Sequence, residues 1–164
     1  SAVYFNSQYE NLIGFSPITY RFANLSRADI SGIEISARFT IFEDLSFMAA
    51  YTYLHTADLQ YERELLRRPK HSLATLLSYK NRYFTLSGEM AYVGKRLDYN
   101  ELTWSVDHSP AFNTFNLNAA VPLNKNFSIT GKITNAFGKE YQEIMGYPAP
   151  ARRFLIGIRY KGTE

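Results

Sequence analysis

The sequence predicts an all-β chain, an antiparallel meander of about eight strands from a transmembrane β-barrel. Three observations carry this. Apolar and polar residues alternate with period two in eight successive segments. The connections between them alternate between short turns and long loops, the layout of an outer-membrane barrel. Aromatic residues make up 16% of the chain, with 13 Tyr and 12 Phe. They gather near the ends of the apolar sides, where water meets lipid.

The first segment, about Val3 to Ile13, sets Val3, Phe5 and Tyr9 against Tyr4, Asn6, Gln8 and Glu10. The second ends with Ile33, Ile35, Ala37 and Phe39 opposing Glu34, Ser36 and Arg38, and Gly32 is placed to bulge or bend it. The third opposes Leu45, Phe47, Ala49, Tyr51 and Tyr53 to Ser46, Met48, Ala50 and Thr52. The fourth runs through Leu73, Thr75, Leu77 and Tyr79, and the fifth through Phe84, Leu86, Met90 and Tyr92. The sixth carries Phe115, Leu117, Ala119 and Val121 against Asn116, Asn118 and Ala120. The seventh alternates Phe127, Ile129 and Ile133 with Ser128, Thr130, Lys132 and Thr134; the eighth alternates Phe154, Ile156, Ile158 and Tyr160 with Leu155, Gly157 and Arg159. Segments of this length, tilted, reach across a hydrocarbon layer.

Tight connections are expected near Ile41 to Asp44, at Lys80-Asn81-Arg82 and at Pro122 to Asn126. Long ones run from Leu54 to Arg68, Gly94 to Ala111 and Gly138 to Arg153. In the last, Gly146, Pro148 and Pro150 punctuate a segment expected to be irregular. The side opposite the apolar one is lined by small polar residues such as Ser36, Ser87, Asn118 and Thr130. A closed eight-stranded barrel fills its interior with its own side chains. Small residues do that poorly, so the wall suits a wider barrel, of which this chain is a fragment.

Composition excludes several classes. With no Cys there is no disulfide framework and no thiolate metal site. A net charge of +3, with the basic residues scattered, argues against nucleic acid as a partner. No apolar run is long enough for a membrane-spanning helix, which leaves strands free to span. Motifs for catalysis are lacking: there is no phosphate-cradling glycine loop and no nucleophile elbow. His55, His71 and His108 are too dispersed for the paired spacing of a zinc site. Asp98, Glu101 and Asp107 have the oxygen chemistry of a metal site without calcium-loop spacing. Glu62-Arg63-Glu64 beside Arg67-Arg68 reads as a ligand-recognising charge cluster or, more simply, a solvated loop. No catalytic, cofactor-binding or metal residue is assigned, and the ligand-contacting residues are unassigned.

Three stretches in order carry a family resemblance. Arg67-Arg68-Pro69-Lys70-His71-Ser72, Tyr92-Val93-Gly94-Lys95-Arg96, and Asn135-Ala-Phe-Gly-Lys-Glu-Tyr141 followed by Gly146-Tyr147-Pro148 and Arg153 resemble the end of TonB-dependent outer-membrane receptors. The siderophore and cobalamin branches are the most similar. Ala151-Arg152 departs from the family's usual Pro-Gly turn, and the chain ends Tyr160-Lys-Gly-Thr-Glu164 where an aromatic usually stands. The resemblance implies that residues 1–164 are the C-terminal part of a receptor barrel whose plug and earlier strands lie upstream. It further implies uptake of a ferric siderophore or cobalamin, coupled to the TonB system through that upstream region. Outer-membrane lipid and other strand edges are the remaining expected partners. The isolated piece is expected to close strand one on strand eight or to pair edge to edge with another copy. Two further readings stay open: a complete eight-stranded barrel with a structural or adhesive role, and a soluble β-barrel binding a small apolar ligand.

Overall fold

The computed structural model describes residues 1–16, 19–59, 61–100 and 102–162. Glu101 and Glu164 lie outside the described residues. Eight strands form one antiparallel sheet: β1 (Ala2–Ser16), β2 (Arg21–Phe42), β3 (Leu45–Asp58), β4 (His71–Lys80), β5 (Thr85–Val93), β8 (Phe112–Pro122), β9 (Phe127–Thr134) and β12 (Arg153–Tyr160). These are the eight predicted segments, with β1, β2 and β3 extended towards the long-loop end. Two small hairpins, β6 (Arg96–Asn100) with β7 (Ser105–Ser109) and β10 (Gln142–Ile144) with β11 (Tyr147–Pro148), fold inside the long loops. The segment around Gly146 and Pro148 is therefore partly regular, contrary to the expectation. Pro148 fits because it sits at the end of a two-residue strand, where a missing N–H costs little.

Each strand pairs with the one before it, and the sheet stays open. β1 and β12 are its two edges, so the self-closed eight-stranded barrel is not what forms. Two of the three short turns are closed by side chains. Asn81 Oδ1 accepts from the amides of Tyr83 and Phe84, and Asn124 Oδ1 from those of Asn126 and Phe127. Asn does this readily because its side chain mimics a backbone turn.

Register settles the faces. Ile35 pairs with Tyr51, Phe47 with Leu77, Leu86 with Ala119, Leu117 with Ile133 and Ile129 with Ile158, all on one face. Ser36, Ser87, Asn118 and Thr130 lie on the other. The first strand runs against the expectation. Tyr4 pairs with Ile33 on the apolar face, whereas Val3 pairs with Glu34 and Phe5 with Gly32 on the polar one. Gly32 does not bulge, since pairing is unbroken on both its sides. It is required for space: a Cβ there would collide with the Tyr53 carbonyl and stand 2.6 Å from Cζ of Phe5.

The distribution of burial is inverted relative to a water-soluble protein. Among the described residues Ala28 is the buried hydrophobic one, while Thr56, Asp58, Arg96, Asp98, Ser109 and Asn135 are buried and polar. The apolar face is open, with Ile156 at 87% exposure. Left in water, each such side chain forgoes about 1.5–3 kcal/mol. Six of them match the whole stability of an ordinary domain, about 5–15 kcal/mol. A soluble barrel would turn this face inward; the open sheet leaves it exposed. Aromatics lie towards both ends of that face, Tyr79, Phe127 and Tyr160 near the short turns and Tyr53, Tyr92 and Phe154 near the loops.

Arginine scanning in lipid vesicles checks the assignment. Ile35→Arg and Leu117→Arg, near mid-strand, are expected to destabilise by about 2–4 kcal/mol. Ser36→Arg and Asn118→Arg on the opposite face are expected to cost far less. Equal penalties on both faces in a folding titration would overturn it.

Candidate functional site

The long connections leave the sheet at one end and pack together there. The β3–β4 loop starts with a tight turn held by polar atoms. Tyr61 donates its amide to Asp58 Oδ1 at 3.2 Å, Leu65 donates to Thr56 Oγ1 at 3.0 Å, and Arg63 lies over the Tyr61 ring. The loop then delivers Arg67 towards the β6–β7 hairpin. Its amide donates to the Leu97 carbonyl at 2.7 Å and its Nε to Asp98 Oδ1 at 2.7 Å.

Asp98 is the node of the loops. It is fully buried, and besides Arg67 it accepts from its neighbour Tyr99 at 2.8 Å and, through Oδ2, from Met145 at 2.9 Å. Burial alone pushes its carboxyl up. The Arg67 hydrogen bond and charge, with the Met145 and Tyr99 amides, outweigh that and hold it below the usual carboxylate range. Two residues earlier in β6, Arg96 is 3% exposed. Its Nη2 donates to the carbonyls of Gln142 and Glu143 at 2.9 and 2.7 Å, and its guanidinium faces the Phe112 ring. Phe112 in turn packs on Tyr141, with centroids 4.4 Å apart. Three loops, from β3–β4, β5–β8 and β9–β12, thus meet at two charged side chains of one short hairpin.

The β9–β12 loop has its own fastening. Asn135, 4% exposed, adopts φ of 50°. Its Oδ1 accepts from Lys139, its Nδ2 donates to the Lys139 and Pro150 carbonyls, and its amide donates to Asn116 Oδ1. Asn tolerates this left-handed backbone while bonding locally. Gly138 follows at φ of 65°. The other two resemblance stretches meet directly: the Gly94 amide donates to the His71 carbonyl at 2.8 Å, where a Cβ would collide with that same oxygen. At the tips, Tyr20 of the β1–β2 turn and Trp104 of the β6–β7 turn make an edge contact at 5.2 Å.

Below the loops, the inner face carries a polar ladder in which Glu89 accepts from Asn118 at 3.1 Å and from Asn116 at 3.5 Å. Two cavities lie on this face beneath the loops. One, of about 270 Å³, is lined by Arg67, Arg96, Phe112, Thr114, Tyr141 and Glu143, among others. Its neighbour, of about 480 Å³, shares Thr114, Tyr141 and Glu143 and adds Lys132 and Arg153.

The residues singled out in the sequence fare differently. Asp98 is a structural anchor, and Asp107, its register partner in the hairpin, accepts from Ser105; Glu101 lies outside the described residues. Among the described residues no group of three acidic, His or Cys side chains is placed to hold a metal. His71 bonds the Tyr51 hydroxyl on the outer face, and His108 pairs with Leu97 in the β6–β7 hairpin. The charge cluster splits: Arg67 reaches a different loop, and Arg63 reaches back to its neighbour Tyr61. Sequence reasoning missed Arg96 and Asn135. Both stand inside the resemblance stretches, which was the available signal.

The model of the TonB-dependent receptor-like β-barrel family matches residues 1–136. Solved structures extend the likeness through the last hairpin. A structure described as copper transporter OprC superposes with a TM-score of 0.81 at 21% identity, over 97% of this chain and 28% of that one. The ferripyoverdine receptor of the Pseudomonas aeruginosa outer membrane gives 0.76 at 19% identity, over 97% and 24%. The ferric-catecholate import receptor Fiu of E. coli K12 gives 0.76 at 16%, over 98% and 25%. At such identities the likeness is one of fold, and this chain spans 24% to 28% of those chains.

Asp98→Ala removes the acceptor of three donors, and Arg67, half exposed, recovers part of the loss from water. The expected cost is about 1–3 kcal/mol, seen as faster proteolysis and amide exchange across all three loops. Because the folded carboxyl titrates below its unfolded value, its stabilisation is present above about pH 4 and fades as pH falls through the depressed value. Loop protection that is unchanged between pH 6 and pH 3 would contradict the anchoring role.

Proposed function

This chain belongs to the TonB-dependent receptor β-barrel family, and on that premise we propose that it is one sector of an outer-membrane receptor wall in a Gram-negative bacterium. The receptor takes up a scarce ligand, a ferric siderophore or cobalamin, with energy from the TonB system. Residues 1–164 are the C-terminal part of that barrel; the plug and the TonB-contacting region belong to the upstream part of the receptor. Relatives described as receptors for ferripyoverdine and ferric catecholates and as a copper transporter favour a metal or metal chelate as the cargo. The role is transport, not catalysis.

The observation that carries this reading is the two-sided wall. One face of the open sheet is exposed and apolar with aromatic ends, and the other is polar, ends in cavities and is roofed by loops tied at Asp98 and Arg96. Lipid solvates the first face. The second suits a watery lumen holding a plug and a ligand. β1 and β12 then pair with other strands of the same receptor, which removes both open edges. An isolated piece has those edges free for another copy.

Deletion of residues 138–150 in the full-length receptor tests the proposal. The barrel strands keep their ladders, so insertion into outer membrane is expected to survive. The deletion strips Asp98 of the Met145 amide and Arg96 of two carbonyls. Ligand binding and TonB-dependent uptake by whole cells should therefore fall at least tenfold. Uptake at the wild-type rate would reduce the loop to a cover.

A further inference from the structure

We propose that the inner wall beneath the outer loops carries a binding site for an oxyanion group, a carboxylate or phosphate, of the transported ligand, formed by Arg96, Thr114, Lys132, Tyr141 and Arg153. This rests on the uptake reading and adds the chemistry of the ligand to it.

The first argument is charge. Four cations, Arg67, Arg96, Lys132 and Arg153, line the two adjoining cavities. Arg67 is matched by Asp98. Among the described residues Arg96, Lys132 and Arg153 have no carboxylate partner. Glu143 is the acidic side chain on the shared wall, exposed and outnumbered. A field of this sign in a concave, partly desolvated place concentrates anions.

The second argument is the state of Arg96. It is almost wholly buried, its Nη2 is spent on neutral backbone carbonyls, and its Nη1 has no hydrogen-bond partner. Burying a charge without a counter-charge is costly, and so is leaving a buried donor unpaired. An oxyanion in the adjoining cavity supplies the counter-charge that the protein does not. Planar guanidinium groups match carboxylate and phosphate in geometry.

The third argument concerns donors. Thr114 and Tyr141 stand on the wall common to both cavities. Burial pushes the Tyr141 phenol up, Glu143 adds to this and Arg153 opposes it, with a net rise. A phenol is in any case neutral at pH 7, so the hydroxyl is available as a donor. Its ring is fixed against Phe112, itself under the Arg96 guanidinium. Two cationic groups on neighbouring strands, Lys132 on β9 and Arg153 on the edge strand β12, complete the ring of donors.

Calorimetric titration of citrate and of inorganic phosphate into the purified full-length receptor tests this. Saturable binding that weakens with salt is expected. The Lys132→Gln/Arg153→Gln variant, whose side chains are exposed, should lose about tenfold or more in affinity. Tyr141→Phe keeps the ring contact and should lose less, with an unchanged Tm. Equal affinity in wild type and variants would overturn the site. So would absence of anion binding together with a lowered Tm in the double variant, since a carboxylate from the receptor's own upstream segment would then be the occupant. TonB-dependent uptake measured in parallel separates the two readings. A receptor that still transports but binds neither anion leaves the uptake role standing and removes this inference.

Discussion

Every backbone N–H and C=O that crosses a hydrocarbon layer must find a partner inside the protein, because lipid offers none. That constraint governs the sheet. It explains why β2, β3, β4, β5, β8 and β9 are each paired on both sides through their spanning parts. Beyond that layer, at two of the short turns, the Asn81 and Asn124 side chains take over the bonding. The same constraint also explains why Gly32 is needed where the β3 carbonyl and the Phe5 ring crowd the ladder. With hydrogen bonding settled by the ladder, side chains are left free to serve two different solvents. The period of two then separates them, lipid on one face and lumen on the other.

Where the strands leave the hydrocarbon layer, the logic changes. The loops leave large apolar side chains such as Leu102, Trp104 and Phe137 exposed, and their most buried side chains are polar. Asp98, Arg96 and Asn135 are each among the most buried residues described, and each bonds the backbone of a distant loop segment. A carboxylate that accepts from three donors replaces its lost hydration, which makes such burial affordable. The two halves of the molecule are thus stabilised by opposite means: an apolar surface outside the wall and a polar interior in the loops.

This division also explains what the sequence could and could not disclose. Alternation fixes a strand's faces wherever one face is strongly apolar, as in Phe127 to Ile133 or Phe154 to Tyr160. In β1 both sides carry large side chains, Tyr4 against Val3 and Phe5, and only pairing with Ile33 and Glu34 decides which is outward. The β6–β7 hairpin alternates for five residues per strand, too few to stand out from a polar loop. Arg96 and Asp98 look like ordinary loop charges. Their importance comes from Gln142, Glu143 and Met145, more than 40 residues away in sequence, and no local pattern encodes such a meeting. The resemblance stretches mark the same places because they hold its geometry: Gly94 against His71, and Asn135 at the root of the last loop.

The polar inner face has a consequence for the wall as a whole. Its side chains are small, Ser87, Asn118 and Thr130 among them, and the inner charges Glu89 and Lys132 do not pair with each other. A face of this kind cannot hold two sheets together, because it offers little apolar area to remove from water. It also cannot fill a narrow barrel. It can line a wide one, where water or a folded plug supplies the missing contacts. Beneath the loops larger groups, Arg96, Tyr141 and Arg153, line the cavities instead. Width below and chemistry above follow from one placement: small residues along the strands, and large donors where the strands end.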